Sequence, residues 1–185
     1  MRRPKHESNW RQKLALIVSV MVLAPVLSIE AICEPLKSGS APSTDAQYLD
    51  ALAGRWEMSG TLGGKVVHYN AQGDWVLQHA FLRLHMEDAN TPPQYEADVY
   101  LGYDAKADDY VVHWLDRFGA AGARVVADGK RKGDRLIVIF PYAEGAFRDT
   151  FTLHKEERTW DLLLESQETD GSWTTFAQYV LSRRP

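Results

Sequence analysis

Chemistry in a protein needs nucleophiles, acids, bases or metal ligands held at workable spacings, and this 185-residue chain offers few such arrangements. Its six histidines are His6, His68, His79, His85, His113 and His154. They form no His-x-His pair and no H-E-x-x-H element, so no metal site can be read from local spacing. Cys33 is the single cysteine, which excludes an internal disulfide. No G-x-S-x-G elbow is present, and no glycine-rich loop leads into a helix. No catalytic residue, metal or cofactor is therefore assigned. Two short segments retain interest. In His113-Trp114-Leu115-Asp116-Arg117, strand alternation places His113 and Leu115 on one face and Trp114 and Asp116 on the other. Either His113 points inward as a polar group in an apolar cavity, or Tyr110, Val112 and Trp114 do and His113 is solvated; the pattern leaves both open. In Phe147-Arg148-Asp149-Thr150-Phe151, the aromatic face is the expected core, which turns Asp149 inward and Arg148 outward. A buried Asp149 needs a partner, because an isolated carboxylate in apolar surroundings is costly. It reads either as a structural hydrogen-bond hub or as a functional carboxylate. On the strand read over residues 159–169, alternation sends Glu165 to solvent.

The elements that would position these groups are β-strands. After Gly54, short runs rich in Val, Tyr, Trp, Phe, Thr and Leu alternate with Gly, Asp and Asn, and no helical stripe is sustained. Strands are predicted over residues 55–62, 65–70, 74–88, 94–103, 109–116, 122–130, 134–141, 146–154, 159–169 and 173–183, with a bend in the long third run near Gln78-His79. Turn chemistry at Gly63-Gly64, between Asp104 and Asp108, at Gly133-Asp134, at Glu156–Arg158 and at Asp170-Gly171 fits hairpin loops, and Pro92-Pro93 ends a strand. A helix is predicted from Asp45 to Leu52, capped by Thr44 or Asp45 and ended at Gly54. A long meander of this kind removes its exposed edges by closing. The fold class is thus all-β: a closed antiparallel up-and-down barrel of about ten strands behind a short N-terminal helix. A β-sandwich is the alternative, but the loops are short for Greek-key crossovers. A barrel of this size encloses side chains or one small ligand.

The first residues describe an address rather than a fold. Arg2, Arg3, Lys5, Arg11 and Lys13 precede an apolar run from Leu14 to Ile29, the pattern of a secretory signal peptide. As a helix that run spans about 24 Å, short of a hydrocarbon core of about 30 Å. Residues 1–31 are read as the signal peptide with cleavage after Ala31, an uncleaved membrane anchor being the alternative; residues 32–44 as a flexible Pro/Ser/Gly linker; and residues 45–185 as the barrel domain. The expected location is periplasmic or secreted. Residues 1–31 carry five basic and two acidic side chains, so their removal shifts the formal charge from −4 to −7. Such an acidic domain suits neither nucleic acid nor an anionic membrane surface.

Five stretches in order, LAGRWEMSG (52–60), LGYD (101–104), YVVHWLDRFG (110–119), FRDTF (147–151) and DGSWTTFAQYVLSRR (170–184), resemble an uncharacterised bacterial family, the domain of unknown function 1579. The resemblance runs from about Tyr48 to Arg184. It implies a lipocalin-like (calycin) barrel and no established activity. Gly54-Arg55-Trp56 also resembles the Gly-x-Trp element that opens lipocalin barrels. By that likeness Trp56 closes the barrel floor and Arg183 or Arg184, from the last strand, stacks over it. Gly54, Trp56 and Gly60 are similar to the opening of nitrobindin-type barrels, which hold haem through a histidine, but Met58 stands where that pattern has its middle glycine.

Of Trp56, Trp75, Trp114, Trp160 and Trp173, core packing is the default reading and a pocket for a flat ligand the alternative. The candidate ligand contacts are His113, Trp114, Asp149, Phe151, Trp75 and Tyr100. The expected function is binding of a hydrophobic or amphipathic small molecule inside the barrel. The alternatives are an isomerase- or hydrolase-type enzyme using interior His113 or Asp149 as acid or base, a haem-binding barrel, and a protein acting through its surface.

Overall fold

The computed structural model describes residues Thr44 to Arg184. The expected export segment, the cleavage point after Ala31 and the linker up to residue 43 lie outside the described residues. The described residues form one short α-helix, α1 (Thr44–Asp50), followed by ten strands: β1 (Gly54–Leu62), β2 (Lys65–Val76), β3 (Phe81–Asp88), β4 (Glu96–Asp104), β5 (Asp109–Asp116), β6 (Val126–Lys132), β7 (Arg135–Phe140), β8 (Phe147–His154), β9 (Thr159–Gln167) and β10 (Trp173–Arg183). Each strand pairs antiparallel with the next, and β10 returns to β1, so the sheet is a closed barrel with no free edge.

Strand boundaries differ from expectation by more than two residues in two places. Residues 65–76 form one strand, and the chain reverses through Leu77, Gln78 and His79, all in the left-handed region at φ 51°, 57° and 68°. No glycine or proline marks that reversal, which is why the sequence reads as one long bent run. Residues 122–124 form a single 3-10 turn and β6 begins at Val126.

Even-numbered strands run away from the mouth of the barrel and odd-numbered strands towards it. Tight reversals at 77–80, 105–108, 133–134 and 155–158 therefore gather at the helix end, while the longer loops 89–95, 117–125, 141–146 and 168–172 gather at the mouth. The floor is built by α1. Tyr48 and Leu49, with Leu52 just beyond the helix, are buried against the strands. Tyr48 meets Trp160 edge-on at 5.0 Å. Polar groups fix the helix in place. Tyr48 donates to the Phe151 carbonyl at 3.1 Å, Tyr110 donates to the Asp45 carbonyl at 2.9 Å, and Trp75 donates to the Asp50 carboxylate at 2.8 Å. Arg131 donates to Asp45 at 2.6 Å, and its guanidinium holds that carboxyl below the usual range. The indole N–H groups of Trp56 and Trp160 cap the carbonyls of Leu52 and Ala51 at 2.8 and 3.3 Å, satisfying acceptors that the helix end leaves open.

Trp56 is 1% exposed, and the Arg183 guanidinium lies 4.5 Å from the centre of its ring while donating to the Ala51 carbonyl. Arg183 thus takes the stacking position, and Arg184 continues the β10–β1 ladder by donating its backbone N–H to Arg55. Gly54 permits this closure. Its φ is +120°, and a Cβ there would strike the Arg183 guanidinium. Met58 is fully buried inside the barrel, filling the volume that a glycine would leave.

Arg183→Ala is expected to lower stability by about 1 kcal/mol, since it removes an exposed cation–π contact and one hydrogen bond. Gly54→Ala is expected to cost more, about 1–3 kcal/mol, from the forbidden backbone region and the displaced guanidinium. Urea unfolding of both variants checks the order.

Candidate functional site

Opposite the floor, the barrel opens into a cavity of about 570 Å³, within the range of roughly 300–1,000 Å³ typical of small-molecule sites. Apolar walls come from the inward faces of several strands: Leu62, Val67, Met86, Phe140, Phe147 and Leu164. Aromatic groups with polar tips project among them: Tyr69, Tyr95, Trp114, Tyr142 and Tyr179. Asp88, Gln94, Asp116, Phe118 and Phe176 also line it, at the mouth. Phe118 and Phe176 remain 79% and 47% exposed there.

Asp149 is the polar group in the wall that has no explanation in the fold. Alternation along β8 aligns it with Phe147 and Phe151, and its register neighbours are Val138 on β7 and Leu164 on β9, both inward and buried. The residue is 1% exposed, and its Oδ1 has no hydrogen-bond partner among the described residues. Burial alone pushes the carboxyl up to about 8. Of the two readings of Asp149, hydrogen-bond hub and functional carboxylate, the hub has no bond at Oδ1 among the described residues.

Around Asp149 the phenols interlock. Tyr69 meets Tyr95 at 5.9 Å and Tyr179 at 5.7 Å, both edge-on. The Trp114 indole donates to the Tyr95 hydroxyl at 3.1 Å, which leaves the Tyr95 O–H free to donate onward. Burial raises the phenols of Tyr69, Tyr95, Tyr142 and Tyr179 above their ordinary value, and the nearby Asp149 carboxylate adds to the rise at Tyr95, Tyr142 and Tyr179. All four stay neutral hydroxyls at physiological pH.

Of the candidates read from sequence, Trp114 and Asp149 line this cavity and the other four do not. Tyr110 and Val112 are buried on β5, so Trp114 shares the inward face and His113 points out. The His113 Nε2–H donates to the Ala123 carbonyl at 2.7 Å, pinning the 3-10 turn to the outer wall. Tyr100 pairs across from His113 and Arg83, on the outward face between buried Val99 and Leu101. Trp75 faces the helix end, stacked on His79 at 3.8 Å. Phe151 is inward but fully buried over the floor, where Tyr48 covers it. Glu165 does face outward, yet it is largely covered, because Arg148 pairs with it at 2.7 Å and lies 4.2 Å from the Trp173 ring centre.

Sequence reasoning missed Tyr69, Tyr95, Tyr142 and Tyr179 as a group, since each sits on a different element. It also missed a β-bulge. Thr175 pairs with Glu165 and Ala177 with Leu164, leaving Phe176 unpaired. The extra residue brings Phe176 to the cavity mouth and puts Trp173 on the outer wall, against the core expectation.

Among the described residues, no histidine lines the cavity and no three His, Cys, Asp or Glu side chains gather as metal ligands. His85 and His154 are engaged on the outside with Asp98 and Asp161, each at 2.9 Å. An axial histidine for haem and an interior His–Asp acid–base pair therefore both lack their histidine. No protein-family model matches the chain, and no curated protein matches it.

Asp149 generates a pH dependence of stability. Its carboxyl is raised in the folded state from 3.8 to about 8, so the folded protein binds this proton more tightly than the unfolded chain. Stability is lost progressively as pH climbs from about 4 to about 8, by a total of a few kcal/mol. Asp149→Asn is expected to raise the melting temperature at pH 8–9 and to converge with the parent near pH 4. Thermal unfolding across that range checks it, and parallel curves would refute the buried unpaired carboxyl.

Proposed function

We propose that the protein is an exported, lipocalin-like barrel that binds a hydrophobic or amphipathic small molecule in its interior. One observation carries this reading: the cavity of about 570 Å³ stays open between an apolar wall and a single unpaired buried carboxyl. Packed cores leave few voids larger than a water molecule, so an open space of this size in a barrel stoppered at its other end fits an occupant. The Gly54–Trp56 opening, the short helix and Arg183 stacked over Trp56 support the lipocalin-like assignment and the likeness to the uncharacterised domain family. The basic start and apolar run of residues 1–31 support export.

The reading makes no use of catalysis. With His113 on the outer wall, the interior His–Asp pair of the enzyme alternative is not brought together.

A neutral naphthylamine dye, N-phenyl-1-naphthylamine, is expected to bind one-to-one, with a dissociation constant on the order of micromolar and enhanced emission. Leu164→Trp, which fills the cavity, should weaken the dye at least tenfold while the protein stays folded. Absence of uptake by the parent protein would sink the proposal. Native mass spectrometry of protein purified from its own source should in addition reveal a retained small molecule.

A further inference from the structure

The composition of the cavity wall narrows the chemical class of the occupant. Among the described residues three carboxyl groups line the space, Asp88, Asp116 and Asp149, and no Lys, Arg or His does. The exposed Arg117, adjacent to Asp116 in sequence, is committed to the Gln94 carbonyl and does not line the cavity. The two mouth carboxylates also serve local turns: Asp88 accepts from Asn90 and Asp116 from the Phe118 backbone N–H. Asp149 Oδ1 has no hydrogen-bond partner among the described residues. Within this acidic frame the aromatic rings of Tyr95, Trp114, Tyr142 and Tyr179 offer electron-rich faces, the surroundings that stabilise a desolvated organic cation.

We infer that the occupant is an amphipathic organic monocation, an alkylamine or quaternary ammonium, whose charged end seats against Asp149 among these rings and whose apolar end lies toward Phe118 and Phe176. This deepens the binding-barrel reading and rests on it. A neutral acceptor would be served as well by an amide at this position. A cation gains the full charge of the ionised carboxylate, where a neutral donor gains one hydrogen bond, and the negative mouth draws cations inward.

Because the empty protein holds the Asp149 proton up to about pH 8, a permanent cation must expel it on binding. The other groups facing the space are the phenols Tyr69, Tyr95, Tyr142 and Tyr179, all raised by burial, and the mouth carboxylates Asp88 and Asp116.

The test uses calorimetry with three probes of one chain length: octyltrimethylammonium, octan-1-ol and octanoate. At pH 8.5 the cation should bind at least tenfold more tightly than the alcohol, with octanoate weakest. Its affinity should rise about tenfold per pH unit between pH 6 and 8 and level off above, while that of the alcohol stays flat. Asp149→Asn should weaken the cation at least tenfold and abolish its pH dependence, leaving the alcohol within about twofold. Should that variant fail to fold, the pH profile of the parent protein decides alone. A cation that binds no better than the alcohol or octanoate, or binds independently of pH, overturns the inference and leaves the binding barrel standing. If none of the three binds, the barrel reading falls with it.

Discussion

A helix of two turns has too few internal hydrogen bonds to persist in water, so α1 exists because the barrel floor receives it. The floor in turn is complete only with the helix in place. Tyr110, Arg131, Trp75, Trp56 and Trp160, drawn from five strands, each donate to α1 or to the residues just after it. Satisfying these donors at one end stoppers the barrel there. The opposite end has loops in place of a plug, and the inward side chains between them cannot reach across. The cavity is the space that this asymmetry leaves.

Along β8 the gradient from mouth to floor is visible in one strand. Phe147 lines the mouth half, Asp149 the wall of the cavity, Phe151 the buried layer over the floor, and Leu153 packs near Trp56 and Arg183. Every inward position but one is apolar. A sequence selected only for folding would have an apolar residue at the exception, since an unpaired buried carboxyl opposes folding at neutral pH. Such conflicts between a local choice and the global fold concentrate at functional sites. In the proposed binding barrel, Asp149 is the inward position at which this conflict falls.

The outer wall absorbs most of the polar residues that looked suggestive. His85, His113 and His154 find a carboxylate or a carbonyl on the outside, Arg148 and Glu165 pair beneath Trp173, and Arg83 lies between Asp74 and Asp98. A closed barrel has two faces of nearly equal area. Half of all strand side chains must therefore be solvated or paired with outward neighbours, whatever their chemical potential.

The alternation of apolar and polar residues, the turn residues and the Gly54-Arg55-Trp56 opening by themselves determined a closed ten-stranded meander behind a short helix, and the aromatic face of β8 determined that Asp149 points inward. These are local properties: period, turn conformation and the partner of a side chain on the same strand. Parity on β5 was not legible, because Tyr110, Val112 and Trp114 against His113 and Leu115 gives two apolar faces, and only closure of the sheet chose Trp114. Two further features carried no turn or bulge residue, although the length of the 74–88 run pointed to a bend near Gln78-His79. The reversal at Leu77–His79 uses residues without turn preference, and the bulge at Phe176 shifts parity through its pairing with β9. The four-tyrosine wall and the absence of a cation from it were decided by the tertiary structure alone, since curvature and stagger bring together inward positions that lie far apart along the chain.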